Sequence, residues 1–175
     1  MLAISTLGLV TIEHDGEPVT GLETRKAEAL LLYLACTGRV HSREVLAEMF
    51  WPERTSERSL GNLRVALSNL RKQVGEYLLI DRDTLSLDPE AGVWLDVAEL
   101  ETALTADQIE RALDLYRGDF FEGFYLPDSP AFEDWSTLER ERLRRLVHNA
   151  MRDQVAHDLE TGDYREGIRH AARLL

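Results

Sequence analysis

The sequence contains one cysteine, no long apolar run and no excess of positive charge. The single cysteine, Cys36, cannot form an internal disulfide, which fits a reducing cytoplasm, and its apolar surroundings predict a small core residue. No apolar run approaches the ~20 residues needed to span a bilayer, and the N-terminus lacks the pattern of a signal peptide. The 175 residues, 44% of them hydrophobic, are expected to fold in the cytoplasm without a membrane partner.

The sequence also lacks the motifs that enzymes and metal sites require. The five histidines form no H-x-x-x-H or H-E-x-x-H motif, and there is no cysteine pair for zinc. No glycine-rich phosphate loop and no G-x-S-x-G motif occurs. Glu139 and Glu141 lie on different sides of a predicted helix, so they are not a catalytic carboxylate pair. We therefore expect no enzyme activity, no cofactor and no metal site.

Acidic residues outnumber basic ones, but the charge is uneven. The net charge of −12 argues against non-specific nucleic-acid binding by the chain as a whole. Residues 54–74, however, contain five Lys or Arg and one Glu, a local net charge of +4. Because salt screens charges beyond ~8–10 Å, DNA responds to this local field. The pattern is compatible with DNA binding of modest affinity and marked salt dependence.

The first half of the chain is predicted to contain strands, three helices and a hairpin. Its predicted segments are strands within 3–8 and 9–19, helices over 24–38, 42–52 and 55–74, a hairpin over 78–87 and a short strand within 93–97. Asp15-Gly16 marks a hairpin turn, Ser42 an N-cap, and Gly75 the stop of the third helix. This order is typical of a winged helix-turn-helix with an N-terminal sheet.

From residue 96 onward the pattern is helical. Two short helices and an aromatic-rich loop precede a long helix that Gly162 ends, and residues 163–175 begin another helix. Antiparallel helix pairs of this kind are typical of tetratricopeptide units. The last helix stops within its apolar pattern, so we expect the front part of a longer protein. The predicted fold is α+β, a winged helix-turn-helix over residues 1–95 followed by an all-α, tetratricopeptide-like domain over residues 96–175.

The predicted helix over residues 55–74 has two faces. Its apolar stripe is expected to pack on the two preceding helices and consists of Leu60, Leu63, Leu67, Leu70 and Val74. Short side chains on the other face permit close approach to base edges, where Asn pairs with adenine, Arg with guanine, and Val meets a thymine methyl group. The predicted base contacts are Arg58, Asn62, Val65, Ser68 and Asn69. The predicted DNA-backbone contacts are Arg43, Arg64, Arg71, Lys72 and Arg82.

Each of these assignments has a plainer alternative. Basic helix faces are often only solvated, and Arg82 at the hairpin tip either contacts DNA or pairs with Asp81 or Asp83. In the second half, six aromatic residues form either a partner groove or, as aromatic residues more often do, the anchor of a loop on the helical core. They are Phe120, Phe121, Phe124, Tyr125, Phe132 and Trp135.

Two stretches resemble known families. RSLGNLRVALSNLRKQVG, residues 58–75, followed by a hairpin, resembles the recognition helix and wing of OmpR/PhoB-type winged helices. The segment YRGDFFEGFYLPDSPAFEDWSTLERERLRRLVHNAM, with ETGDYREGIRHAARLL after it, resembles the bacterial transcriptional activator domain, BTAD. Together they resemble the N-terminal part of SARP-type (antibiotic regulatory protein) transcriptional activators.

This resemblance implies sequence-specific binding to promoter DNA, often at direct repeats, and recruitment of RNA polymerase. It is compatible with a homodimer on DNA. One stretch departs from the family pattern. Residues 84–87 read Thr-Leu-Ser-Leu, where family wings often end in a Gly-Tyr-x-Leu strand. The resemblance therefore supports the predicted DNA contacts of the wing less than those of the helix.

Two other functions stay open at this point. In a protein–protein scaffold, the winged helix would dock a protein partner and the acidic helical domain would bind a peptide, which the net charge of −12 favours. Alternatively, the helical domain senses a small ligand in a pocket that a missing C-terminal part would complete.

Overall fold

The computed structural model describes residues 1–52, 55–162 and 165. Seven strands run in chain order as β1 Leu2–Ser5, β2 Thr11–His14, β3 Glu17–Pro18, β4 His41–Ser42, β5 Leu78–Ile80, β6 Thr84–Leu87 and β7 Trp94–Leu95. The six α-helices are α1 Arg25–Thr37, α2 Arg43–Phe50, α3 Ser56–Val74, α4 Asp96–Thr105, α5 Ile109–Leu115 and α6 Pro130–Thr161.

The first half is α+β, and its element order is consistent with a winged helix. A four-stranded sheet in the order β3-β2-β1-β7 comes first, with β1 and β2 antiparallel and β7 parallel to β1. The predicted turn at Asp15-Gly16 joins β2 to β3, and both residues have the positive φ that such tight turns require. The short strand expected within residues 93–97 is β7.

Helices α1, α2 and α3 pack against one another through the predicted apolar stripe. Thr24 caps α1, since its hydroxyl accepts a hydrogen bond from the Ala27 N–H, and Thr55 caps α3 in the same way. Leu63, Leu67 and Leu70 are fully or almost fully buried, and Leu60 is half-buried. The second sheet, in the order β4-β6-β5, contains the predicted hairpin. Cys36 is half-buried and packs against the core, as predicted, and burial raises the pKa of its thiol.

Helix α3 ends at Val74 with Gly75 as its C-cap, as predicted, although the φ of Gly75 is −59° and the chain continues into a 3-10 turn over Gly75–Tyr77. Another local prediction was wrong in detail. Ser42 precedes α2, but within the described chain its hydroxyl makes no capping hydrogen bond. Its backbone pairs instead with Thr84 of β6, which ties the start of α2 to the hairpin.

After β7 the described residues form three helices, with a loop over residues 116–129 between α5 and α6. Helices α4 and α5 pack against each other, and α6 packs on α5 and on α2. Gly162, with a φ of 81°, ends α6 in a left-handed cap, as predicted. The helix predicted over residues 163–175 falls outside the described residues, so the tetratricopeptide-like character of this half stays a prediction.

The carboxylate of Asp96 joins the two halves. Its Oδ2 accepts hydrogen bonds from the backbone N–H groups of Thr6 and Leu7, at 2.7 and 2.8 Å. Its Oδ1 accepts from the Thr6 hydroxyl and the Val97 N–H, both at 2.9 Å. Asp96 is 3% exposed and begins α4, where a negative charge interacts favourably with the helix dipole. One side chain thus fixes the end of β1 to the start of α4.

An aromatic core continues across the same boundary. Phe120, Phe121, Phe124 and Phe132 are buried, and the Phe132 ring lies 5.5 Å from the ring of Phe50 at the end of α2. Among the six aromatic residues of the predicted cluster, Tyr125 is the exposed exception, at 60%. The anchoring interpretation of this cluster is confirmed, and the anchor reaches the winged-helix half as well as the helical one.

Further contacts join the helical half to α1 and to the end of α2. The Arg25 guanidinium lies 4.2 Å from the centre of the Phe124 ring and donates to the carbonyls of Gly123 and Tyr125. The Ser129 hydroxyl donates to the Phe50 carbonyl at 3.0 Å. The division into residues 1–95 and 96–175 stays a prediction, and the two segments share one continuous core.

We expect Asp96→Asn to destabilise the protein by about 2 kcal/mol or more, because an amide cannot accept all four hydrogen bonds and leaves at least one buried backbone N–H without a partner. Urea unfolding measures this loss. Asp153→Asn, on an exposed surface of α6, is the matched control and should be nearly neutral. Equal stability of the two variants would contradict the role given to Asp96.

His41 gives the winged-helix half a pH dependence. The side chain of this residue is buried against Tyr33, and its Nε2 lies 2.7 Å from the Thr37 hydroxyl oxygen. Burial, with a smaller effect from the charge of Arg39, lowers the pKa of His41 below its ordinary value. The unfolded chain, in which the pKa is about 6.5, therefore takes up a proton first as the pH falls.

The contribution of neutral His41 to the free energy of unfolding is therefore fully present above about pH 6.5. It decreases as the pH falls through the lowered pKa of the folded state. We expect the wild type to lose more unfolding free energy between pH 7.5 and pH 5 than His41→Gln, which cannot titrate. Urea unfolding at several pH values gives the difference between the two proteins, in which the common titration of the carboxylates cancels. Parallel pH profiles would show that His41 does not contribute.

Candidate nucleic-acid interface

Helix α3 exposes one face along its whole length. Its buried face consists of Ser59, Leu63, Ala66, Leu67, Asn69, Leu70 and Val74. Arg58, Arg64, Val65 and Ser68 are exposed, as are Arg71 and Lys72 in the last turn. Val65 is 66% exposed, so its apolar side chain is available for contact with a partner. The ten predicted site residues lie on α3, at the N-terminus of α2 or on the hairpin. Nine of them have exposed surface.

Asn69 is the exception, and the structure contradicts its prediction as a base contact. It is 4% exposed, and both ends of its amide are used inside the protein. Its Oδ1 accepts from the Glu23 N–H at 3.1 Å, and its Nδ2 donates to the Gly21 carbonyl at 2.9 Å. An amide held in this way cannot face a base edge. Asn69 instead positions the chain that leads into α1.

The burial of Asn69 changes where the exposed face is centred. At 100° per residue, Asn69 and Asn62 lie about 40° and 60° to one side of Val65, whereas Ser68 lies about 60° to the other. Asn62 is half-buried and lines a cleft with Lys26 and Trp51. The exposed face of α3 is therefore centred between Val65 and Ser68. This centre lies closer to Arg64 and Arg71 than the centre near Val65 that the apolar stripe alone predicts.

The positive charges of this face lack ion-pair partners. Across the residues that the structure describes, no carboxylate lies within 4.0 Å of a side-chain nitrogen of Arg58, Arg64, Arg71 or Lys72. The predicted pairing of Arg82 with Asp81 or Asp83 is likewise not formed in the described part of the chain. Arginines of the second half contrast with these. Arg142 pairs with Glu101 and Glu139, and hydrogen bonds from Arg144 lower the pKa of Asp119.

The hairpin, the start of α2 and α3 border an open groove. Arg64 of α3, Arg82 at the hairpin tip and Arg43 at the start of α2 line it, together with Ser42, Glu44, Leu60 and Asp83. The cavity measures about 560 Å³. The guanidinium groups of Arg64 and Arg82 suit the oxygens of a phosphodiester, whereas Glu44 and Asp83 add negative charge to the same groove. The side chain of Arg43 is half-buried, and its Nη1 donates to carbonyls of the hairpin turn. Nothing in the local sequence predicts that Arg43 bonds to the hairpin turn or that Asn69 is buried.

No helix within residues 1–52 and 55–162 has the length and apolarity needed to cross a membrane. In the same segments, no group of three or more His, Cys, Asp or Glu side chains is placed to hold a metal ion.

The second half matches a known domain. Residues 94–175 match the sequence model of the bacterial transcriptional activator domain, which confirms the resemblance drawn from the Y-R-G-D-F and E-R-E-R-L motifs. The match covers 82 of the 175 residues and indicates a regulatory domain of transcriptional activators, not an enzyme class. No significant relative was found among curated proteins.

The fold of the chain is similar to that of a solved structure. The structure of Mycobacterium tuberculosis EmbR in complex with a low-affinity phosphopeptide aligns with a TM-score of 0.63 over 99% of this chain, at 21% sequence identity. The chain spans 53% of the length of EmbR. The sheet, the three helices, the hairpin and the helical region thus form an arrangement already seen in a protein. Together with the BTAD match, this supports a transcriptional activator of the SARP type.

Asn69→Ala is expected to destabilise the protein by about 1–3 kcal/mol, because the Glu23 N–H and the Gly21 carbonyl lose their buried partner. Asn62→Ala is the matched control, since within the described residues the Asn62 amide makes no such bond, and its stability should be nearly unchanged. Urea unfolding of the two variants measures the difference. A stable Asn69→Ala protein would return Asn69 to the set of candidate base contacts.

Proposed function

We propose that this chain is a sequence-specific, double-stranded DNA-binding transcriptional activator, with α3 in the major groove and the β5–β6 hairpin as its wing. The exposed, unpaired cations of α3 are the observation that carries the proposal. Buried or paired charges would gain little from a phosphate, whereas free guanidinium and ammonium groups release counterions from DNA when they bind.

The roles of the individual residues follow from their exposure. Arg58, Asn62, Val65 and Ser68 form the strip that faces base edges. Phosphate contacts that fix the register come from Arg64, Arg71 and Lys72 on α3 and from Arg82 on the wing. Arg43, half-buried at the start of α2, was predicted to contact the backbone, but its donors serve the wing first.

The helical half supplies the activating part of this function. A BTAD is a domain of transcriptional activators, and we infer that it takes part in recruitment of RNA polymerase and in pairing of two copies on direct repeats. Because the aromatic core and Asp96 hold it rigidly to the winged helix, the position of this half is set by the position of α3 on DNA.

The test is selection of bound duplexes from a random pool at low salt, followed by affinity measurement on the enriched sequence. We expect an enriched motif that Asn62→Ala loses at one or two base pairs, at about 1–3 kcal/mol for each lost bidentate contact. The double variant Arg64→Glu/Lys72→Glu should abolish binding to any duplex. Affinity of the wild type should fall steeply with salt, by about 0.9 in log K per log unit of salt for each phosphate contact.

The control for charge reversal is Arg142→Glu, which removes a basic residue that is already paired in the helical half and far from α3 in sequence. It should retain DNA affinity. If the folded wild type enriches no sequence and binds no duplex at low salt, the proposal fails. The net charge of −12 would then favour the scaffold alternative, in which the winged helix docks a protein partner.

A further inference from the structure

All three carbonyl oxygens of the wing turn accept hydrogen bonds from one residue. The turn between β5 and β6 consists of Asp81, Arg82 and Asp83. The Asp83 carbonyl accepts from the backbone N–H of Arg43 at 2.9 Å. The carbonyls of Asp81 and Arg82 accept from Nη1 of the same residue, at 3.1 and 3.4 Å.

The backbone that carries Arg43 is itself fixed. Arg43 is the first residue of α2 and directly follows β4, which pairs with β6 at His41–Leu85 and Ser42–Thr84. Leu85 and His41 are buried. The guanidinium therefore extends from a rigid corner to the end of a hairpin whose own turn is closed by one backbone bond, from the Asp81 N–H to the Thr84 carbonyl.

The hydrogen bonds from Arg43 restrict the backbone of Arg82 most. Its side chain is exposed and, within the described part of the chain, has no ion-pair partner, so the backbone sets the direction in which the side chain leaves the turn. The Asp81 carbonyl belongs to the same planar peptide as the Arg82 N–H, and the Arg82 carbonyl to that of the Asp83 N–H. Hydrogen bonds to these two carbonyls hold the peptide planes on both sides of Arg82.

We propose that Arg43 is the positioning residue of the wing: its side chain holds the turn so that Arg82 faces the groove that it shares with Arg64, and contributes to DNA affinity through Arg82 rather than by its own phosphate contact. This inference rests on the proposed function for its DNA part, whereas the anchoring of the turn belongs to the free protein. It separates Arg43 from Arg64, which lines the same groove but has no bond to the turn.

The first test uses the free protein. Arg43→Met keeps most of the aliphatic stem and the backbone N–H while removing every guanidinium donor. We expect the Arg82 and Asp83 amides to shift in NMR spectra and their backbone order to fall, with the helical half unchanged as the internal control for folding. Arg64→Ala should leave both amides unaffected. Unchanged order at residues 82 and 83 in Arg43→Met would overturn the proposal, whatever the protein does with DNA.

The second test is a double-mutant cycle on the duplex sequence that the selection enriches. We expect Arg43→Met and Arg82→Ala each to weaken binding by about three- to tenfold, and the double variant to be no weaker than Arg82→Ala alone. Arg64→Ala combined with Arg82→Ala is the control and should give the product of the two single effects. A multiplicative cycle for Arg43 and Arg82 would mean that Arg43 contacts phosphate independently and would overturn its positioning role.

The two proposals fail in different ways. A protein that binds no duplex removes the DNA function, while the amide signals of residues 82 and 83 still decide whether Arg43 holds the turn. A protein that binds DNA with an additive cycle keeps the DNA function and loses the inference about Arg43.

Discussion

The buried carboxylate of Asp96 is the constraint on which the arrangement of the two halves depends. Taking this group out of water is costly, and four hydrogen bonds compensate for that cost only if β1 and the start of α4 keep their relative positions. The pairing of β7 with β1 brings the carboxylate to this place, and the aromatic core then fills the space beyond it. The helical half is thereby attached at a defined angle to the elements that present α3.

Charge is distributed differently in the two halves. In the helical half, Arg142 and Arg144 pair with carboxylates, and Arg140 donates to the Phe120 carbonyl. On α3 and the wing, exposed cations have no such partners among the described residues. Exposed pairs contribute little to stability, so the difference concerns recognition more than folding. A chain that is acidic overall can therefore present a local positive surface to a polyanion.

Periodicity and capping signals predicted most of the fold. The apolar stripe of α3, the Asp15-Gly16 turn, the hairpin and the Gly162 stop all depend on near neighbours in sequence, which a pattern can register. The predictions that failed depend on distant neighbours. Asn69 looked polar and helical, but its partners, Gly21 and Glu23, lie more than 45 residues away. In the same way, nothing near Arg43 indicates that its guanidinium reaches carbonyls 38 and 39 residues further on.

The shared aromatic core has a consequence for how such regulators diversify. Recombination that exchanged only residues 1–95 for those of another regulator would separate Phe50 and Tyr33 from Phe132 and Trp135, and would leave apolar rings in water on both new fragments. The Phe50 carbonyl would also lose the hydroxyl of Ser129. Phe132 and Trp135 lie on α6, so an exchange of the N-terminal half keeps these ring contacts only if α6 moves with it.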